Sequence, residues 1–255
     1  MSYSLGLVSV SFREHSPAEI LAAMKAAGLT HIEWGSDIHA PADDVQKLNE
    51  IVRLQQEFGI VCCAYGTYFR LGVTPIDELT RYISAAKMLG TSILRLWCGN
   101  KNSQDYSPEE KADLFEQCRR AAKIAEQFDV TLCMECHNNT CTNTKESSLE
   151  LMQAVDSQNF KMYWQPNQHR SAEENLRAAA LLAPFTEHLH VFNWKGNAQG
   201  GTDMFPLADG AHIWREYLGC FDKDKTLLLE FMPDGKIETL PREAAALFDI
   251  TGAER

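Results

Sequence analysis

The sequence predicts an α/β protein built as a single-domain (β/α)8, or TIM, barrel spanning residues 1–255. Three observations carry this expectation. Short, almost continuously apolar runs alternate eight times with longer runs of helical period. Runs of that kind read as strands covered on both faces, as in a parallel sheet sandwiched by helices. Eight such units in 255 residues match the closed barrel, which takes about 250 residues. An open doubly wound sheet with a dinucleotide site should show a glycine-rich first turn, and Ser9–Glu19 contains no glycine. The patterns GxxxxGK[ST] and GxSxG are absent as well, which removes the P-loop and α/β-hydrolase classes.

Taken in order, the first strand is read over Leu5–Phe12. Ser16-Pro17-Ala18-Glu19 then opens a helix with an N-cap serine and proline at the first helical position, and Gly28 closes it. Strands are expected at Thr30–Gly35, Ile60–Phe69, Ser92–Gly99, Val130–His137, Phe160–Asn167, His188–Trp194 and Thr226–Met232. Helices are expected at Asp43–Phe58, Pro75–Leu89, Pro108–Phe128, Lys145–Val155, Ala172–Pro184, Ala211–Cys220 and Glu238–Phe248. The Gly-rich stretch Lys195–Gly210 is read as irregular, either a mobile lid or a plain surface loop.

A net charge of −11 argues against a broad basic footprint for nucleic acid or for an anionic membrane. The N-terminus shows no secretory leader, and no apolar run approaches the ~20 residues of a membrane span. The eight cysteines fall mostly in apolar strands, where buried reduced thiols are common. A reduced, cytoplasmic protein is expected, with a small-molecule substrate and room for a homo-oligomer. Cys133-x-x-Cys136 resembles half a zinc site, but on a strand residues i and i+3 point to opposite faces.

Barrels of this kind keep their chemistry at the C-terminal ends of the strands. Those ends hold Glu135, Gln165, His190 and Glu230, one each from strands five to eight. Carboxylates with one imidazole suit a divalent ion such as Mn²⁺, Mg²⁺, Co²⁺ or Zn²⁺. The plainer alternative is that Glu135 and Glu230 pair with Arg95, Arg70 or Lys195.

The motifs MECHNNT, YWQPN, HLHVFNWKG and LLLEFM, with IEWGSDIHAP and AYGTYFRLG earlier, resemble the xylose isomerase-like barrel superfamily along essentially the whole chain. That group includes sugar isomerases and epimerases, inosose dehydratase-like proteins and endonuclease IV. The resemblance implies metal ligands at Glu135, Gln165, His190 and Glu230, with Glu135 and Glu230 also exchanging a substrate proton through an enediolate. It therefore implies an isomerase or epimerase of a small sugar or related polyhydroxy carbonyl compound. A dehydratase on the same site and a non-catalytic sugar-binding protein are the alternatives. An endonuclease IV-like role would need a larger ligand set and a basic groove. The departure is Gln165, which stands where the family pattern has Asp and lowers the ligand charge from −3 to −2. Asn167 shares its strand parity and would substitute as a ligand or bind substrate.

Other residues are expected at the mouth. His137 lies two beyond Glu135 and would touch substrate, or else be a rim histidine. Arg70 and Lys195 would neutralise a substrate oxyanion or phosphate, or else be solvated rim charges. Glu33, His39 and Trp97 are expected to line the rim, although aromatics at strand ends more often simply pack.

Overall fold

The computed structural model describes residues 3–254. Strands form at β1 (Ser4–Val8), β2 (His31–Gly35), β3 (Val61–Leu71), β4 (Ile93–Cys98), β5 (Thr131–Glu135), β6 (Phe160–Trp164), β7 (Thr186–Val191), β8 (Trp194–Gly196), β9 (Thr202–Met204) and β10 (Thr226–Leu229). Eight are parallel and close into a barrel in the order β1-β10-β7-β6-β5-β4-β3-β2, while β8 and β9 make a separate antiparallel hairpin. The helices are α1 (Pro17–Ala27), α2 (Val45–Phe58), α3 (Leu79–Leu89), α4 (Pro108–Gln127), α5 (Lys145–Val155), α6 (Ala172–Leu182), α7 (Ala211–Leu218) and α8 (Leu240–Thr251). The fold is the predicted TIM barrel. No helix among the described residues is long and apolar enough to cross a membrane.

Local sequence sets where the helices begin. Ser16, Ser107 and Ser171 each accept the backbone N–H three residues on, while Glu19, Glu110 and Glu174 reach back to the serine N–H. These reciprocal caps satisfy donors that a helix start leaves open. Alternate strand residues then divide between two cores. Outward side chains such as Ile32, Trp34, Leu132 and Leu189 pack under the helices. Inward ones, including Val8, Ala64, Cys133, Tyr163 and Leu228, fill the barrel interior.

Several strand ends differ from the sequence expectation. The first strand stops at Val8, and residues 9–12 turn into a tight helical loop. Ser9 and Ser11 are the physical reason: their hydroxyls accept the N–H groups of Gly35 at 2.9 Å and Phe231 at 2.8 Å. The last strand stops at Leu229 rather than Met232, because Phe231 takes a left-handed backbone with φ +54°. Strands five and six end at Glu135 and Trp164, short of His137 and Asn167. Thr142 Oγ1 caps the first of these by donating to the Glu135 carbonyl at 2.6 Å. The seventh ends at Val191, and Trp194 belongs to the β8–β9 hairpin, so Lys195–Gly210 is partly ordered.

Candidate active site

Five buried side chains close a ring across the top of the barrel interior. Glu33, near the end of β2, accepts Arg95 Nε at 2.8 Å. Arg95, in the middle of β4, donates Nη1 to Glu135 Oε2 at 2.5 Å, and Trp97 two residues on donates its indole N–H to the same oxygen at 2.6 Å. The other oxygen of Glu135 accepts Gln165 Nε2 at 3.1 Å. Gln165 Oε1 meets His190 Nδ1 at 3.0 Å, and His190 Nε2 faces Glu33 Oε2 at 3.4 Å. Glu230 stands beside the ring, its Oε2 at 3.5 Å from His190 Nδ1.

The ring explains why so many charges can share one dry place. A buried ion is costly unless it is paired and hydrogen-bonded. Burial pushes the Glu33 and Glu135 carboxyls up, but Arg95 and then His190 outweigh it, so both sit below the usual carboxylate range. Glu230 differs, because its Oε2 accepts no hydrogen bond. Burial, aided by the Glu135 and Glu33 charges, holds its carboxyl above the usual range despite His190 and Arg95. His190 is lowered by burial but raised more by Glu230 and Glu33, and ends above its ordinary value.

Close approach demands one glycine here. A Cβ on Gly66 would lie 2.4 Å from Glu33 Oε1 and 2.8 Å from Arg95 Nη2. The floor of the site is aromatic: the Tyr163 ring lies 4.7 Å from that of His190. The hydroxyl of Tyr163 is buried beside Glu33.

The donors also suit a cation. Glu135, His190 and Glu230 each offer an atom within 4.8 Å of the others. Glu230 Oε2 is buried with no hydrogen-bond partner. Two carboxylates, one with an orphaned oxygen, and one imidazole fit a divalent ion. Gln165 occupies the fourth corner, but its N–H groups go to Glu135 and to the Cys136 carbonyl at 3.0 Å. Its amide is thus spent holding two of the other three residues.

The remaining expected residues are placed unevenly. Glu33 and His39 do not line the rim. Glu33 is fully buried in the ring, and His39 is locked between Ser9 Oγ at 3.1 Å and the His15 carbonyl at 3.3 Å. Trp97 is half-buried at the mouth, beside the exposed His137 with ring centres 5.6 Å apart. Asn167 ties two loops together, donating to Asn138 Oδ1 at 2.8 Å and accepting His169 N at 3.0 Å. Lys195 is exposed on the hairpin, its ammonium over the Phe205 ring at 5.1 Å. Neither Lys195 nor Arg70 pairs with Glu135 or Glu230, whereas Arg95 does pair with Glu135. The central role of Arg95 was the piece undervalued by sequence. Its signal was an arginine amid the apolar run ILRLWC, sharing strand parity with Trp97.

Comparison with known proteins agrees with this architecture. Residues 21–248 match the model of the xylose isomerase-like TIM barrel family, and the chain belongs to that family. A 3-dehydroshikimate dehydratase of Bacillus anthracis is 27% identical over 155 residues, covering 53% of this chain and 54% of that protein. The match thus spans about half the length of that curated relative. The crystal structure of the probable 3-DHS dehydratase of Bacillus anthracis superposes with a TM-score of 0.79 at 21% identity, over 97% of this chain and 98% of that one. A D-psicose 3-epimerase of Clostridium cellulolyticum H10 gives 0.69 at 15% identity, over 98% of both chains.

Proposed function

We propose that the chain is a metal-assisted isomerase or epimerase that moves a proton at a carbon beside the carbonyl of a small polyhydroxylated compound. The observation that carries this reading is the unequal carboxylate pair. Against its burial, Glu135 is held below the usual carboxylate range by Arg95, whereas burial holds Glu230 above it, with an Oε2 that accepts no hydrogen bond. Such chemistry needs one carboxylate ready to take a proton and one ready to give it.

A divalent ion held by Glu135, His190 and Glu230 would supply Lewis-acid polarisation of the carbonyl. The protein residues do the rest. Arg95, Trp97 and Gln165 fix both Glu135 oxygens, so this carboxylate meets the substrate C–H in one orientation. Glu230 Oε2 returns a proton to the neighbouring position. Glu33 holds His190 from behind through Nε2, which keeps Nδ1 facing the two acids. Eight free cysteines support a reducing, cytoplasmic setting.

A second reading, favoured by the sequence match to a dehydratase, shares the first proton removal. The C–H electron pair then forms a C=C bond, the adjacent C–O bond breaks, and the hydroxyl leaves as water with the Glu230 proton.

The test is proton exchange in D2O with Mn²⁺ present, followed by NMR over a panel of ketoses and keto acids. Deuterium entering beside the carbonyl is expected for at least one compound. Glu135→Gln and Glu230→Gln should each slow it by about 10²–10⁴-fold. Exchange that survives both substitutions overturns the assignment, and product analysis separates isomer from dehydrated product.

A further inference from the structure

Among the described arginines, those without a carboxylate ion-pair partner are Arg70, Arg120 and Arg170. Arg120 and Arg170 are exposed, where water satisfies the charge, but Arg70 is half-buried. It is also placed with care. The pairing of β3 with β4 slips between Gly66 and Arg70, and the slip sets Arg70 opposite Trp97. The guanidinium then stacks on the Trp97 ring at 4.1 Å. The same indole donates to Glu135 Oε2 at 2.6 Å. Arg70 is therefore held one indole ring away from the carboxylate assigned to take the proton.

We propose that Arg70 binds an oxyanion, a carboxylate or phosphate, at the end of the substrate remote from the reacting carbon. The proposal rests on the proton-transfer reading for which end reacts. Its support is chemical accounting of the guanidinium. Five N–H donors project from it, and the one hydrogen bond seen for them is Nη1 to the Gly99 carbonyl at 3.0 Å. A planar fork of donors matches carboxylate or phosphate geometry, and stacking on an indole keeps the fork in one plane. The chain as a whole carries a charge of −11 and repels anions. An anionic substrate therefore needs a local cation whose charge is not already spent on a neighbour. The ring of Glu33, Arg95 and Glu135 consumes the other inward guanidinium, which leaves Arg70 as the inner cation still able to serve. Lys195, exposed and lying over Phe205, lacks both the fork and the fixed direction.

Three probes that differ only at one terminal carbon decide the matter: D-fructose, D-fructuronate and D-fructose 6-phosphate. Binding to the Mn²⁺-loaded protein is measured by calorimetry at fixed ionic strength, with Arg70→Met and Arg70→Lys alongside. At least one anionic probe should bind ten-fold or more tightly than D-fructose, and which of the two does so separates carboxylate from phosphate. Arg70→Met should bring that probe down to the level of D-fructose, and Arg70→Lys should recover part of the difference. Retained Mn²⁺ binding in both variants shows that the site is still folded. Equal affinity for all three probes, failure of both anions to bind, or an anion preference that survives Arg70→Met overturns the proposal. Deuterium exchange is read in the same samples. Arg70-dependent anion binding without exchange would sink the proton-transfer reading and leave the oxyanion site standing.

Discussion

Gln165 donates to Glu135 at 3.1 Å, where a carboxylate in the same place would repel it. The amide suits both neighbours, because one end serves Glu135 and the other accepts from His190. Replacing it by Glu keeps the length and removes the donor. Gln165→Glu should therefore destabilise the chelator-treated protein by about 1–3 kcal/mol, the range for a lost buried hydrogen bond. It should also tighten Mn²⁺ binding by about ten-fold, through the restored charge. Denaturant unfolding and calorimetry read the two effects. A variant that loses affinity for Mn²⁺ would show that this corner does not face the ion.

Arg95 is the counterion of two buried carboxylates. Arg95→Met leaves both uncompensated, and removing one partner of a buried pair typically costs about 3–5 kcal/mol. The melting temperature should fall more than for any substitution of Arg53, whose pair with Glu57 is exposed. Equal small losses at the two positions would contradict the ring.

Gly66 leaves room for the Glu33–Arg95 contact. Gly66→Ala introduces a methyl group 2.4 Å from a carboxylate oxygen that cannot retreat. The expected loss is about 1–3 kcal/mol, the usual cost of overpacking, with Mn²⁺ binding weakened because Glu135 shares the same arginine. Wild-type stability in this variant would mean that the ring tolerates displacement.

The raised His190 predicts a particular pH dependence. A group whose folded-state value exceeds its unfolded one stabilises the fold fully below the unfolded value, about 6.5 for histidine. That stabilisation is lost as pH rises through the folded-state value. His31, His39 and His188 are lowered chiefly by burial and work in the opposite sense. They are common to wild type and His190→Gln, so the difference between the two isolates His190. In chelator-treated protein that difference in denaturant midpoint should shrink as pH rises above about 6.5. A difference that grows over this range would show that His190 is neutral in the folded state.

Much of this was readable from residue order alone. Strand parity put Arg95 with Trp97 on one face, and the short apolar runs set the number of units. The strand ends were less legible. Ser9 and Ser11 bend the first strand early by bonding to residues 26 and 220 positions away in the chain, which no local pattern announces. His39 could not be told from a rim histidine, because its burial depends on Ser9 and on the turn at His15. Glu33 reads as a rim acid until the barrel closes and brings Arg95 and His190 around it. The twist of Phe231 into the left-handed region is invisible at a residue type that rarely adopts it.

The barrel order carries one last consequence. Glu135, Gln165, His190 and Glu230 all come from β5, β6, β7 and β10 or the residues just beyond them, and these strands are contiguous around the wall. Their partners in the ring, Glu33, Arg95 and Trp97, come from β2 and β4 on the opposite arc. The polypeptide is thus divided near residue 130 into a half with the candidate ligands and a half with the side chains that hold them. Cutting the backbone between α4 and β5 would part Arg95 from Glu135 and Glu33 from His190, so each fragment would lack half of the ring until it met the other. Reassembly of such fragments would close the ring in a single event.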